Sequence, residues 1–373
     1  MTAVSYTLLI DDESASPNLL DVIQQIEVED NADMADMLRL HLTIAPRDGC
    51  SDWVVLDDDL FHRLAKIRVV VTLGDGPAEP LIEVDVIETS ANFANQPGQS
   101  VLNVVAMDPT VRMNLDEKVR PWPNKADSVI ATTIFGEHGF SADVKQTQPV
   151  RQEVDYTTIQ RGTDIQFLQQ LAQRNGYECY VEINPRTGDI EGHFHPPRLE
   201  RRPQGVLSVN MGQATNVNSF SARYDMLRPT TAQVTGLDIE TQSDQPARVE
   251  SLGFRELGSE PSLNGDRPRK VLLSQTGLAE TGELQTYAQA VVDRSGWAIT
   301  ADGELNTVAY GGILRAKRPV NVRGAGRQFS GTYYVEKVLH TFSGDGYTQR
   351  FTLRRNALGL AGRESFVEDT ALT

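Results

Sequence analysis

The chain has 373 residues and carries 51 Asp+Glu against 35 Lys+Arg, a formal net charge of −16, with 39% hydrophobic residues and two cysteines. That apolar content supports folding rather than disorder, and the length suffices for two or three domains at roughly 100–200 residues each. The acidic balance argues against a general nucleic-acid binder, the distant pair Cys50 and Cys179 argues against a disulfide scaffold, and no apolar run approaches the ~20 residues of a membrane-spanning helix. The opening MTAVSYTLLIDDESASP has no basic n-region, so no secretory leader is expected.

The first third predicts strands. Leu38, Leu40, Leu42 and Ile44 alternate with Arg39, His41 and Thr43, and Ile67, Val69, Val71 and Leu73 alternate with Arg68, Val70 and Thr72. Gly74-Asp-Gly-Pro stops the second run; Ile82, Val84, Val86 and then Leu102, Val104, Ala106 follow. Repeated period-two runs with no helices between them indicate antiparallel sheet curled into a barrel or sandwich. From about 120 to 200 the pattern changes. Asp127 to Gly136 predicts a short helix. Thr163-Asp-Ile-Gln166 has capping-box spacing, and Ile165, Leu168, Leu171 and Ala172 form one helical face that Asn175-Gly176 ends. Tyr177, Cys179 and Val181 open a hairpin that turns at Gly188 into Ile190 and Phe194.

Strands return over 205–240. Residues 241–270 are polar and rich in Pro and Gly, and predict a loop. Leu284, Tyr287, Ala288, Val291 and Val292 set a helical stripe over 283–295, and a final β block runs from 297 to 356. The fold class expected is mainly β with an α+β insert: two similar β-barrel domains plus a small inserted α+β domain.

No catalytic, cofactor-binding or metal site is expected. His193-Phe-His195 places two imidazoles on one strand face, which can bind zinc, but no neighbouring Cys or carboxylate pair in sequence completes a ligand set. His340 reads as packing or surface. Asp57-Asp58-Asp59 lacks calcium-loop spacing. No nucleophile elbow, zinc-protease helix or phosphate loop occurs. The charge is unevenly placed instead. Residues 1–60 hold fourteen acids against Arg39 and Arg47, whereas residues 310–356 hold nine Lys+Arg against Glu336 and Asp345. These are two solvated faces, or complementary surfaces in an assembly.

Asp164-Ile-Gln-Phe-Leu-Gln-Gln-Leu-Ala-Gln-Arg-Asn-Gly-Tyr-Glu-Cys-Tyr-Val resembles a helix and following strand of the phage late control gene D family and the N-terminal part of VgrG, the central hubs of contractile-tail baseplates. Gly192-His-Phe-His-Pro-Pro-Arg and the hairpin from Phe329 to Asn356 look like its later strands, and Leu81 to Asp108 sits where it has a strand pair. Glu83 departs from a frequent Gly, and 241–270 is unmatched.

The resemblance implies a first barrel over 1–115 and 205–240, an insert over 116–204, a linker over 241–270, a second barrel over 271–357 and a polar tail over 358–373. It implies a homotrimer whose six barrels reconcile a threefold spike with a sixfold inner tube. The implied partners are copies of itself, a separate spike protein, inner-tube or tube-initiator proteins and other baseplate components. No cofactor, nucleic acid or membrane span is implied. The protein would be made in the bacterial cytoplasm and become part of a contractile particle. The charge split then suggests an interface between protomers in which Asp57, Asp58 and Asp59 face Arg350, Arg354 and Arg355. The alternatives are a type VI secretion hub of the same fold, a peptidoglycan-cleaving baseplate enzyme and a carbohydrate-binding β protein. The last would want clustered Trp, but Trp53, Trp122 and Trp297 are scattered.

Overall fold

The computed structural model describes residues 4–46, 53–96, 98–148, 150, 157–238, 243–264, 268–273 and 281–366. Six strands form the first lobe: β1 (Val4–Ile10), β2 (Ile23–Asn31), β3 (Met37–Thr43), β4 (Lys66–Leu73), β5 (Glu79–Asn92) and β6 (Val101–Met107). They lie antiparallel in the order β2-β3-β6-β5-β4-β1. The alternation decides which face is inside. Leu38, Leu40 and Leu42 are fully buried with Ile26, Val28, Ile67, Val69, Val84 and Val104 in one core, while Arg39 and His41 face outward. A register shift between Val86 and Glu88 bends the long β5.

The insert contains β7 (Glu117–Trp122), α1 (Asp127–Glu137), β8 (Ser141–Val144), β9 (Thr158–Thr163), α2 (Asp164–Asn175), β10 (Glu178–Ile183) and β11 (Ile190–His195). The expected capping box is present at Thr163 and Gln166, and Gly176 ends α2 in the left-handed conformation. Asp127 does not cap α1. Ala126 holds the cap position, and the Asp127 carboxylate binds Arg174 and Asn175 of α2 instead. β10 and β11 make the predicted hairpin, and β8 adds to β11 in parallel. One face of this sheet packs Val181 and Phe194 against Ile130, Ile134, Phe135 and Leu168 of the two helices.

The second lobe begins with β12 (Val206–Ser208) and β13 (Val217–Tyr224) and is completed by strands later in the chain. Between them come β14 (Thr230–Asp238), β15 (Ser243–Val249), β16 (Arg269–Leu273) and α3 (Thr281–Gly296). The lobe resumes with β17 (Ile299–Leu305), β18 (Pro319–Arg323), β19 (Gly331–Ser343) and β20 (Gly346–Arg355). Residues 205–240 were expected to complete the first barrel. The structure differs: β12 pairs with β18 and β13 with β17, both in the second lobe. β14, β15 and β16 form a separate three-stranded sheet, on which α3 packs through Leu284, Ala288 and Val292. Residues 243–249 were expected within a loop but form a strand. Pro246 cannot donate to a ladder, and β15 accommodates it by lying at the edge of its sheet.

The lobes are joined by β19. Its start, Gly331–Tyr334, pairs with β18, and beyond a register shift at Val335/Lys337 its remainder pairs with β2. With the two-residue strand Glu13–Ser14 beside β1, one 13-stranded sheet of the described residues therefore runs through both lobes, each curled around its own core. The fold is mainly β with few helices, as expected. Of the tail, Ser365 and Phe366 accept bonds from Asn321 and Arg323 of the second lobe; residues 367–373 and Cys50 lie outside the described residues. Among the described residues no helix is long and apolar enough to cross a membrane.

Candidate functional site

The other face of the β8-β11-β10 sheet is polar and points into the lobes. Strand register puts Glu178 opposite His195, Tyr180 opposite His193, and Asp143 opposite His193 on the far side. Alternation sends all of these to the face away from Phe194. Against them stand acids from the first lobe and bases from the second, and three parts of the molecule meet in one buried seam.

Lys317 is its centre. Its ammonium is 1% exposed and donates to Asp30 Oδ1 at 2.7 Å and to both oxygens of Asp36 at 2.8 and 2.9 Å. Asp30 also accepts from the Ala316 amide. The Asp36 amide donates to Asp108, whose carboxylate caps the turn Pro109–Asn114. Next to this cluster, the Tyr334 hydroxyl donates to Glu178 Oε2 at 2.6 Å, and Arg354 reaches Glu178 Oε1 at 2.8 Å and Asp33 at 2.8 Å. The Arg354 guanidinium lies 4.8 Å from the Trp297 ring centre and the Lys317 ammonium 5.0 Å from that of Tyr180.

Burial opposes each of these charges and the partners decide the outcome. At Asp30 burial is the largest single influence and raises the carboxyl, but the Lys317 charge and hydrogen bond, the Arg315 charge and the Ala316 amide together outweigh it and hold the carboxyl down to about 2. Lys317 is held well above its usual value by Asp30 and Asp36 despite burial. Asp36 is pushed up by burial and by the neighbouring Asp30 and Asp108 charges, against the pull of Lys317. Burial lifts Glu178 to about 6, against Arg354. Each carboxylate is engaged by a cation, a hydroxyl or an amide. The arrangement fixes three units in register; it does not present a free acid or base to a substrate.

The six residues expected at an interface between protomers are scattered. Asp57, Asp58 and Asp59 lie in an exposed turn, where Asp57 and Asp58 accept from the Trp53 and Val55 amides. Arg350 is exposed and pairs with Glu304 of its own chain at 3.0 Å. Arg354 is buried in the seam. Arg355 is fully buried and donates to the carbonyls of Leu257, Ser330 and Gly359, tying together three segments. Arg354 and Arg355 are thus inside the molecule, because the loop at 255–259 and the insert cover the end of β20. Much of the acid–base complementarity read from the sequence is satisfied within one chain: Asp30, Asp33 and Asp36 meet Lys317 and Arg354, and Glu29 meets Lys337 at 2.9 Å.

Sequence reasoning missed Lys317, Glu178 and Tyr334 as a group. The available signal was a hairpin with charged or aromatic polar residues on one face (Glu178, Tyr180, Glu182; His193, His195) opposite an apolar face. It also missed Asp143. This residue, His193 and His195 each offer a ligand atom, all within 4.8 Å of one another. A cleft of about 480 Å³ opens beside the seam, lined by Gln173, Glu178, Arg228, Arg294 and Arg354 among others.

The family model described as the Alg8 N-terminal domain matches residues 3–344. No curated protein matches the sequence. Solved structures share the fold. A tail protein from Neisseria meningitidis MC58 superposes with a TM-score of 0.66 at 11% identity, covering 95% of this chain and 97% of that one. The 43 kDa tail protein of prophage MuSo2 from Shewanella oneidensis gives 0.63 at 13% identity, over 94% and 98%. An E. coli protein described as a component of the type VI secretion system, with structural similarity to the T4 bacteriophage tail proteins gp27 and gp5, gives 0.57 at 11% identity, over 96% and 80%. At such identities the likeness is one of fold.

Proposed function

This chain belongs to the family described as the Alg8 N-terminal domain, and from that premise and its fold we propose that it is a structural hub in the baseplate of a contractile injection system or phage tail. The observation that carries this reading is the end-to-end match to a tail protein, over 95% of this chain and 97% of that one. A local resemblance of one β domain would not extend through both lobes, the insert and the α3 unit.

The physical logic is one of symmetry and stiffness. Two β lobes per chain, repeated in a homotrimer, present six similar units around a threefold axis. Such a ring can meet a sixfold inner tube on one side and a threefold spike on the other. The strand shared between the lobes and the buried charge seam make each protomer a rigid wedge, as a part that transmits axial force requires. The role is structural and not enzymatic, and the protein is assembled in the bacterial cytoplasm with spike, tube and other baseplate proteins. An interface between protomers at the exposed Asp57–Asp59 turn and Arg350 belongs to the same proposal, with exposed pairs contributing about 0–1 kcal/mol each to register.

The type VI secretion hub is the second reading, favoured by the E. coli structure. Electron microscopy of the purified chain tests the shared proposal. Ring-shaped particles with six lobes about a threefold axis are expected. Particles of a single two-lobed unit, also after addition of inner-tube protein, would refute it.

A further inference from the structure

We propose that Asp143, His193 and His195 form a binding site for one divalent transition-metal ion of the zinc type, at the root of the inserted domain. The inference rests on side chains alone and is independent of the hub reading.

The backbone builds the site. Asp143 on β8 is the in-register parallel partner of His193 on β11, so the two side chains leave the sheet on the same face, and His195 follows two residues on along that face. One ligand atom from each lies within 4.8 Å of the others. His193 Nδ1 is 3.2 Å from Asp143 Oδ2, yet in a geometry that makes no hydrogen bond: both ring nitrogens of His193 are without a hydrogen-bond partner among the described residues, although the side chain is only 2% exposed. A buried polar group left in that state points to a ligand. The His193 ring is held face-on by Tyr180, 4.5 Å between centres, so it cannot turn away to find another partner.

The surroundings also fit. His195 donates its Nδ1–H to the Pro196 carbonyl at 2.9 Å, which leaves the Nε2 lone pair for a metal; the Tyr180 hydroxyl, 3.4 Å away, is a weak competitor for it. A backbone carbonyl on the far nitrogen is the outer contact that orients a metal-binding histidine. His193 Nε2 lies 3.6 Å from Glu182 and 3.7 Å from Glu191, placing carboxylates behind the second imidazole as well. Burial keeps both imidazoles neutral at neutral pH, the form that binds metal. Two imidazoles and one carboxylate suit zinc or a similar ion, not calcium or magnesium, which want a cage of oxygens. Arg198 is the opposing term. It binds the same Asp143 Oδ2 and must yield part of that carboxylate when the ion enters. The ion would clasp β8 to β11 immediately before Pro196-Pro197, where the chain leaves the insert.

The test uses the full chain without an affinity tag, stripped with chelator and titrated at neutral pH with Zn²⁺ by calorimetry and with Co²⁺ by visible absorption. One ion per chain, a cobalt ligand-field band and a rise in melting temperature are expected. Asp143→Asn, His193→Gln and His195→Gln should each weaken binding by about tenfold or more, and Arg198→Gln should strengthen it. Asp143 is partly exposed, so its variant reports on binding even where a buried histidine variant unfolds. No heat, no band and no thermal shift in the natural chain would overturn the proposal. So would equal binding by a natively folded Asp143→Asn chain, because the metal would then be adventitious.

Discussion

Replacing Lys317 by Met keeps most of the side-chain stem and removes one charge from between Asp30 and Asp36. The backbone there has φ 63, a strain that both residues bear alike, so the comparison isolates the ammonium. In the natural chain that ammonium makes three contacts of 2.7–2.9 Å to two carboxylates and is 1% exposed. Removing it leaves Asp30 buried and ionised without its counter-ion, a situation that destabilises by about 3–5 kcal/mol. Because the cluster joins the first lobe to the second, the loss should appear in global unfolding and not only as local loosening. Urea denaturation followed by tryptophan fluorescence suits this, since Trp297 packs against Tyr334 at 5.8 Å and Arg354 at the other end of the seam. Adding Asp30→Asn and Asp36→Asn to Lys317→Met should restore a good part of the loss, because the triple variant buries no unpaired charge. A loss below about 1 kcal/mol for the single variant, a value typical of exposed pairs, would refute the reasoning that the seam locks the lobes. A triple variant less stable than the single one would do so too.

His340 gives a pH prediction. Its folded value is held down to about 3 by burial, then by the Arg315 charge, and its Nδ1 sits 2.7 Å from the Tyr347 hydroxyl. The unfolded chain therefore binds the proton first, so the contribution to stability is complete above the ordinary value of 6.5 and is lost as pH falls from there toward 3. The full gap is worth on the order of 5 kcal/mol, and His340→Gln should flatten the acid limb of a stability-against-pH curve. Gly324 has φ 81, and an added Cβ would overlap the Val209 carbonyl oxygen. Gly324→Ala should therefore destabilise by about 1–3 kcal/mol, whereas Gly344→Ala, with open space around it, should stay within about 0.5 kcal/mol, as thermal melts can check. Arg355→Glu should unfold the second lobe, since three backbone carbonyls lose their donor to a buried anion. Arg350→Glu should leave the fold intact by circular dichroism and lower self-association at low salt if the proposed interface holds.

The fold was legible where a local pattern decides the structure. Period-two alternation marked the inward face of β3, β4 and β6, and the Thr163/Gln166 box with Gly176 bounded α2. Alternation says which face is buried but not which strand lies alongside, so β12 and β13 were assigned to the first barrel when they pair with β18 and β17. Pro246 hid β15, because an edge strand tolerates what a central one does not. The site was the least legible part. Arg354 reads as the outward member of a Leu353–Arg354 alternation; only the distant Asp33 and Glu178 make its burial possible. Asp143 and His193 are fifty positions apart and meet through a parallel pairing that no spacing rule announces.

The central claim, a trimeric hub, is tested most directly by the mass of the purified full chain in solution. Light scattering coupled to size exclusion, repeated over a range of concentrations, should return three times the 41.2 kDa of one chain. A mass that stays at one chain throughout, including when spike protein is added, would contradict the account.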